Sequence, residues 1–326
     1  MTVVPSLKEI FPKINHSSGV FFVGSCFSQV LGAKWKESKG STLYNPFGTV
    51  YNPVSIRKMI ENIIHCQIPA PESISEHNGI YFHTDYHSDM SALSRDEVYE
   101  NIRQTTTKAT DFLPNATYVF ITLGTAFVYE EKSSGQIVAN CHKLPASHFR
   151  KRMLSTEEII LNLQNILETI FAINSATKVV WTVSPVRHIK DGIIENNWSK
   201  ARLVDAVHTV VREQKNMHYF PAYELVLDQM RDYRYYENDL IHPGPEAREA
   251  IWQYFSDTYF DDETRKLNVD IQKIRSAFHH RPKFPQHADY KRFCEQQLKA
   301  IQSALKRYPD LDFTEEKNHF NRFIYS

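Results

Sequence analysis

The stretch Gly19-Val20-Phe21-Phe22-Val23-Gly24-Ser25-Cys26-Phe27-Ser28 decides the reading of this chain. Four bulky apolar residues in a row are too few for a buried helix and suit a short strand covered on both faces. A glycine breaks the run, and Phe27, Val30, Leu31 and Trp35 then recur at helical spacing. Ser25 and Cys26 therefore stand where a strand hands over to a helix. There the unpaired N–H groups of the first turn favour a thiolate, an alkoxide or a developing oxyanion.

Two further apolar runs, Thr117 to Leu123 and Lys178 to Val183, repeat the strand pattern. Helical patterns lie between them. Ile56, Met59, Ile60, Ile63 and Ile64 follow Pro53, and Ile159, Leu163, Ile166 and Ile170 follow a capping box formed by Ser155 and Glu158. Further helices are expected near Trp198 to Arg212 and over Pro245 to Tyr259. This alternation predicts an α/β fold across residues 1–260, a mostly parallel sheet between two layers of helices. Beyond Phe260, 23 of 66 residues are charged, against 53 of 260 before it. Leu267, Ile271, Ile274, Phe278 and then Cys294, Leu298, Ile301, Leu305, Tyr308 keep a 4-3 spacing on either side of a proline-containing breaker. Residues 261–326 are thus expected to form a charged helical hairpin, packed on the main unit or offering a surface for oligomerisation.

Composition narrows the function. Among 326 residues, 42% are apolar and 23% charged, ordinary for a folded chain, and 38 basic residues balance 38 acidic ones. No net field draws in nucleic acid or anionic lipid. The four cysteines are scattered, Met1 to Gly19 has no signal-peptide core, and no apolar stretch reaches the roughly 18 residues of a membrane span. A cytoplasmic protein with reduced thiols is expected. The ten glycines form neither GxGxxG nor a P-loop, and no cofactor is implied.

A partner for the Ser25-Cys26 turn comes late, in Asn238-Asp239-Leu240-Ile241-His242-Pro243-Gly244-Pro245. The prolines and glycine constrain this loop, and an Asp three residues before a His can accept from Nδ1 and leave Nε2 as a base. Ser184-Pro185-Val186-Arg187-His188 follows the third strand, so Arg187 is a candidate for binding a substrate anion and His188 for a second acid or base. His83, Asp85, His87 and Asp89 alternate as metal ligands on an extended segment would, but a polar strand face makes the same pattern.

Gly-Ser-Cys-Phe-Ser after an apolar strand, Asn45-Pro46-Phe47-Gly48, Leu123-Gly124-Thr125-Ala126-Phe127-Val128-Tyr129, Asn140-Cys141-His142-Lys143 and Ser184-Pro185-Val186-Arg187-His188 together resemble the GSCFA family. Tyr219-Phe220-Pro221-Ala222-Tyr223-Glu224 and Arg231-Asp232-Tyr233-Arg234-Tyr235-Tyr236 extend the likeness, which covers roughly residues 20–258. That family is grouped with the SGNH/GDSL hydrolases. The resemblance implies a flavodoxin-like three-layer fold, and hydrolysis or transfer of an acyl ester, with an acylated carbohydrate as one substrate class. It carries the catalytic roles onto Ser25 or Cys26, Asp239 and His242, and the oxyanion-hole glycine onto Gly48. An ungapped match puts Cys26 at the nucleophile position. Ser25 is narrowly favoured as the residue facing the cleft, with Cys26 then a buried small hydrophobe. Ala126 stands where the superfamily has an asparagine, so the Thr125 hydroxyl, Gly48 N–H and the Ser25-Cys26 turn are expected to supply the hole. The rival reading is a binding or scaffolding protein that keeps the fold without turnover.

Overall fold

Five strands, Val20–Gly24 (β1), Thr42–Tyr44 (β2), Tyr118–Leu123 (β3), Lys178–Val183 (β4) and Met217–Tyr219 (β5), form one parallel sheet in the order β2-β1-β3-β4-β5. These come from a computed structural model that describes residues 10, 12–213 and 216–324. Most of Met1 to Gly19, residues 1–9 and 11, lies outside the described residues, as does the reading made of it. The register pairs Val20 with Thr42 on one side and with Tyr118 on the other, and Tyr118 with Lys178.

Every residue of β1 and β3 is buried, which is why their sequence, Thr122 apart, is apolar and does not alternate. Phe21, Val23, Val119, Ile121, Val179, Trp181 and Val183 share one core with four helices, Pro53–Ile64 (α2), Arg95–Phe112 (α3), Thr156–Ile173 (α4) and Ile193–Glu213 (α5). The alternate residues Val20, Phe22, Tyr118, Phe120 and Val180 are equally buried, and Phe22 stacks on Phe120 at 5.0 Å. Helix α1, Cys26–Glu37, leaves the end of β1, and α6, Pro245–Tyr259, follows the Asp239-His242 loop.

The local signals hold. Asn52 caps α2 with Pro53 at its first position, and Ser155 and Glu158 form both bonds of the capping box at 2.8 and 3.2 Å. Two small antiparallel additions escape the three-run pattern: a hairpin of Ser75–His77 with Ile80–Phe82, and a three-stranded sheet of Ile137–Val138, Phe127–Glu131 and Phe149–Met153.

The chain divides into two compact units. The first holds Ser18–Lys34 and Thr42–Gln253, hence the sheet and every residue of the candidate site. The second holds Trp35–Ser41, residues 254–324 and the described residues of 9–17. In it Asp262–His279 (α7), Ala288–Arg307 (α8) and Thr314–Ile324 (α9) share a core of Leu267, Ile271, Ile274, Cys294, Ile301, Phe313 and Phe320. The 4-3 runs mark α7 and α8. The third helix, α9, is too short and too polar for that spacing to show. No described helix is long and apolar enough to cross a membrane.

Candidate active site

The strand order reverses between β1 and β3, and open α/β sheets bind ligands beyond the carboxyl ends of strands at such a switch point. Ser25 and Cys26 leave β1 there, and Gly124 and Thr125 leave β3 beside them. The segment from Asn45 to Tyr51 laces the two ends together. Asn45 Oδ1 accepts from Gly24 N at 2.9 Å and its Nδ2 donates to Ser25 O at 3.3 Å. Val50 N donates to Gly24 O at 3.2 Å and Gly124 N to Tyr51 O at 2.8 Å. Ser28, fully buried, donates to Val23 O and pairs with Thr122 at 2.7 Å, seating α1 on both strands.

Gly24 makes the turn possible. Its φ is +131°, and a Cβ there would lie 2.1 Å from Thr122 O. No other residue type fits.

Exposure at the turn is the reverse of the expectation from sequence. Ser25 is 5% exposed, and its Oγ accepts from Phe27 N at 3.3 Å as a helix cap. Cys26, at the first position of α1, is the partly exposed member of the pair. Burial pushes its thiol up, while the nearby Lys200 charge and the N–H of Phe27 pull the other way.

Lys200 is the residue that sequence reasoning missed. It is 1% exposed, and its Nζ donates to Gly124 O at 2.6 Å and Ser184 O at 2.7 Å, joining the ends of β3 and β4. Burial pulls its pKa down to about 7, with the Cys26 charge opposing. A signal existed: Lys200 keeps helical spacing with Leu203, Val207 and Val210, so a lysine sits on the apolar stripe of α5.

His188 Nε2 also donates to Gly124 O, at 2.6 Å, and burial followed by the Lys200 charge lowers its pKa to about 4. It is a neutral imidazole near pH 7, with Nδ1 as its lone-pair nitrogen. The Gly48 N–H is closed in its own turn on Asn45 O at 2.9 Å. The Thr125 hydroxyl accepts from Phe127 N at 3.0 Å and pairs with Ser199 at 3.2 Å. Two of the three sources expected for the oxyanion hole, the Gly48 N–H and the Thr125 hydroxyl, are thus engaged within the protein.

Asp239 and His242 come together as a dyad. Asp239 Oδ2 lies 2.6 Å from His242 Nδ1, and Oδ1 accepts from the N–H groups of Ile241 and His242 at 2.9 and 3.0 Å. The His242 N–H first, then the imidazole and the Ile241 N–H, hold the Asp239 carboxyl down to about 2. Both side chains are exposed, and among the described residues no hydrogen bond joins His242 to Ser25 or Cys26. The loop is tied to the end of β4 through Arg187, whose guanidinium lies 5.9 Å from the Tyr236 ring centre; Tyr236 in turn bridges Pro243, the neighbour of His242.

The His83 to Asp89 segment turns and is not extended. His83 Nδ1 accepts from Asp85 N, and His87 Nδ1 from Asp89 N. His142 stacks on Phe82 at 4.3 Å and its Nε2 bonds the carbonyls of His83 and Tyr86, pinning that segment. Among the described residues no three His, Cys, Asp or Glu side chains gather as a metal site.

No curated protein matches the chain. Among solved structures it is similar to a carbohydrate esterase family 3 protein from Talaromyces cellulolyticus, at 9% identity and a TM-score of 0.39, over 78% of this chain and 99% of that one. It is also similar to an acetyl xylan esterase, Est2A, from the rumen bacterium Butyrivibrio proteoclasticus, at 7% identity and a TM-score of 0.38, over 74% of this chain and 63% of that one. A profile described as the GSCFA domain protein C-terminal domain matches residues 271–325. The profile of the GSCFA family itself matches residues 19–255, and the chain belongs to that family.

Proposed function

We propose that this protein hydrolyses or transfers an acyl ester, with Cys26 as nucleophile, His242 as general base and then acid, and Asp239 as the group that orients His242. The observation that carries the reading is the 2.6 Å Asp239–His242 bond. With Nδ1–H donated to the carboxylate, Nε2 is the nitrogen free to take a proton. Cys26 is preferred to Ser25 because its side chain is the partly exposed one at the turn, whereas Ser25 Oγ is buried and caps the helix; burial holds the thiol protonated, so attack needs the base that His242 supplies.

In the first step the thiol proton passes to His242 Nε2 as sulfur bonds to the scissile carbonyl carbon, and the carbonyl oxygen becomes an oxyanion. Collapse of that intermediate breaks the bond to the alcohol oxygen, which leaves with the proton from His242. Water, or a second alcohol, then repeats the sequence on the thioester and regenerates the thiol. A hydrolase and a transferase differ only in that acceptor.

The test is turnover of p-nitrophenyl esters and of an acetylated monosaccharide by wild type, Cys26→Ala, Ser25→Ala and His242→Ala. Loss of the nucleophile or the base should lower turnover by about 100-fold or more, with Ser25→Ala much milder. Activity abolished by Ser25→Ala and retained by Cys26→Ala would reassign the nucleophile. Four indistinguishable proteins would leave the binding-protein reading in place.

A further inference from the structure

The peptide linking Gly124 to Thr125 is held from one side. Its oxygen receives Lys200 Nζ and His188 Nε2, each at 2.6 Å. A trans peptide points its C=O and N–H in opposite directions, so anchoring the oxygen aims the Thr125 N–H away from both side chains. Neighbouring amides are all occupied: Gly124 N by Tyr51 O at 2.8 Å, Ala126 N by Ser199 Oγ at 2.8 Å, and Phe127 N by Thr125 Oγ1 at 3.0 Å. Among the described residues the Thr125 N–H alone in this run has no acceptor, although Thr125 is 4% exposed. Buried amides are nearly always paired, with protein or with water, so this N–H is open to an acceptor from outside the chain.

We infer that the Thr125 N–H receives the oxyanion of the reacting ester, and that Lys200 and His188 are positioning residues that aim it. The inference rests on the acyl-transfer reading and deepens it. Ala126 has no donor side chain, and the Thr125 hydroxyl is engaged with Ser199, so the backbone at this turn supplies the bond that a side chain would otherwise make. A donor fixed in advance acts on charge that develops only in the transition state. Its misalignment lowers kcat and leaves KM in place. The ionisable groups bearing on Lys200 are Cys26 from α1 and His188 from the loop after β4, so the clamp and the nucleophile share one buried amine.

The test uses the full chain with two probes. With p-nitrophenyl acetate, His188→Ala should lower kcat by about 10- to 100-fold at nearly constant KM, a part of the loss expected for removing a whole donor. His188→Gln, whose amide can still donate to Gly124 O, should recover most of it; Lys200→Met should resemble His188→Ala where it folds. With a trifluoromethyl ketone, which adds reversibly to a nucleophile and leaves an oxyanion, the Thr125 amide proton should move downfield in the adduct. Neither the adduct nor the shift should form in Cys26→Ala. An adduct on Cys26 with an unmoved Thr125 amide, and His188→Ala turning over like wild type, would overturn the inference while leaving the proposed function intact. Absence of both adduct and turnover in wild type would instead remove the proposed function, and this inference with it.

Discussion

Asp239 accepts the Nδ1–H of His242 through one oxygen at 2.6 Å and two backbone N–H groups through the other, so one carboxylate bends the loop and sets the imidazole tautomer. Asn at 239 separates the two roles. Its carbonyl can still accept the loop's backbone bonds, but its NH2 would face Nδ1 and push the ring proton onto Nε2. Asp239→Asn should therefore melt close to wild type and lose about 100- to 10,000-fold in kcat. Equal losses of stability and activity would mean that the carboxylate serves the loop alone.

Lys200 and His188 make stability depend on pH in a stated direction. Both have pKa values depressed by burial, Lys200 to about 7 from 10.5 and His188 to about 4 from 6.5. Between each pair of values the unfolded chain holds a proton that the folded chain does not, so stability rises with pH. His188 acts over pH 4 to 6.5 and Lys200 over pH 7 to 10.5, the latter opposed in its upper part by the raised thiol of Cys26. Urea titrations should show stability climbing from pH 7 to 9, and Lys200→Met should flatten that slope. A slope unchanged in Lys200→Met would place its origin elsewhere.

Arg187 separates two roles by which kinetic constant moves. The sequence marks it as a binder of substrate anions, whereas the structure lays it over Tyr236, which bridges the neighbour of His242. Removing a half-buried cation–π contact costs about 0.5–2 kcal/mol, enough to loosen the loop without unfolding the unit. Arg187→Ala should thus lower kcat several-fold for neutral esters, and Arg187→Lys should keep part of the effect. A rise in KM confined to anionic esters would restore the binding role.

The sheet was legible because β1, β3 and β4 lie in the middle of it, buried on both faces, and so had to be written as largely apolar runs without alternation. The flanking strands Thr42–Tyr44 and Met217–Tyr219 span three residues each, too short for any pattern. Asp239 and His242 could be read because their pairing is local, three residues apart on a constrained loop. Lys200 could not be placed from charge alone: its role arises from carbonyls at residues 124 and 184 that only the folded sheet brings together. The Gly48 and Thr125 assignments concerned groups whose bonds are likewise set by neighbours distant in sequence or by a turn closing on itself.

Gly24 and Asn45 together test whether the turn after β1 is built for position or only for folding. Gly24→Ala drives a Cβ to within 2.1 Å of a strand carbonyl at a φ of +131°, so it should cost more than about 3 kcal/mol and compromise the fold itself. Asn45→Ala is gentler. It removes the acceptor for Gly24 N and the donor to Ser25 O, two bonds worth about 1–3 kcal/mol each where the partner stays buried. Asn45→Asp keeps the acceptor for Gly24 N and, with its carboxyl held protonated by burial against Ser25 O, offers one weaker donor in place of the amide. If the turn holds Cys26 in place for attack, Asn45→Asp should melt nearer to wild type than Asn45→Ala yet alkylate at Cys26 with iodoacetamide at an altered rate and lose turnover in step. Turnover following melting temperature alone across the pair would show that Asn45 contributes stability and nothing to the placement of the nucleophile.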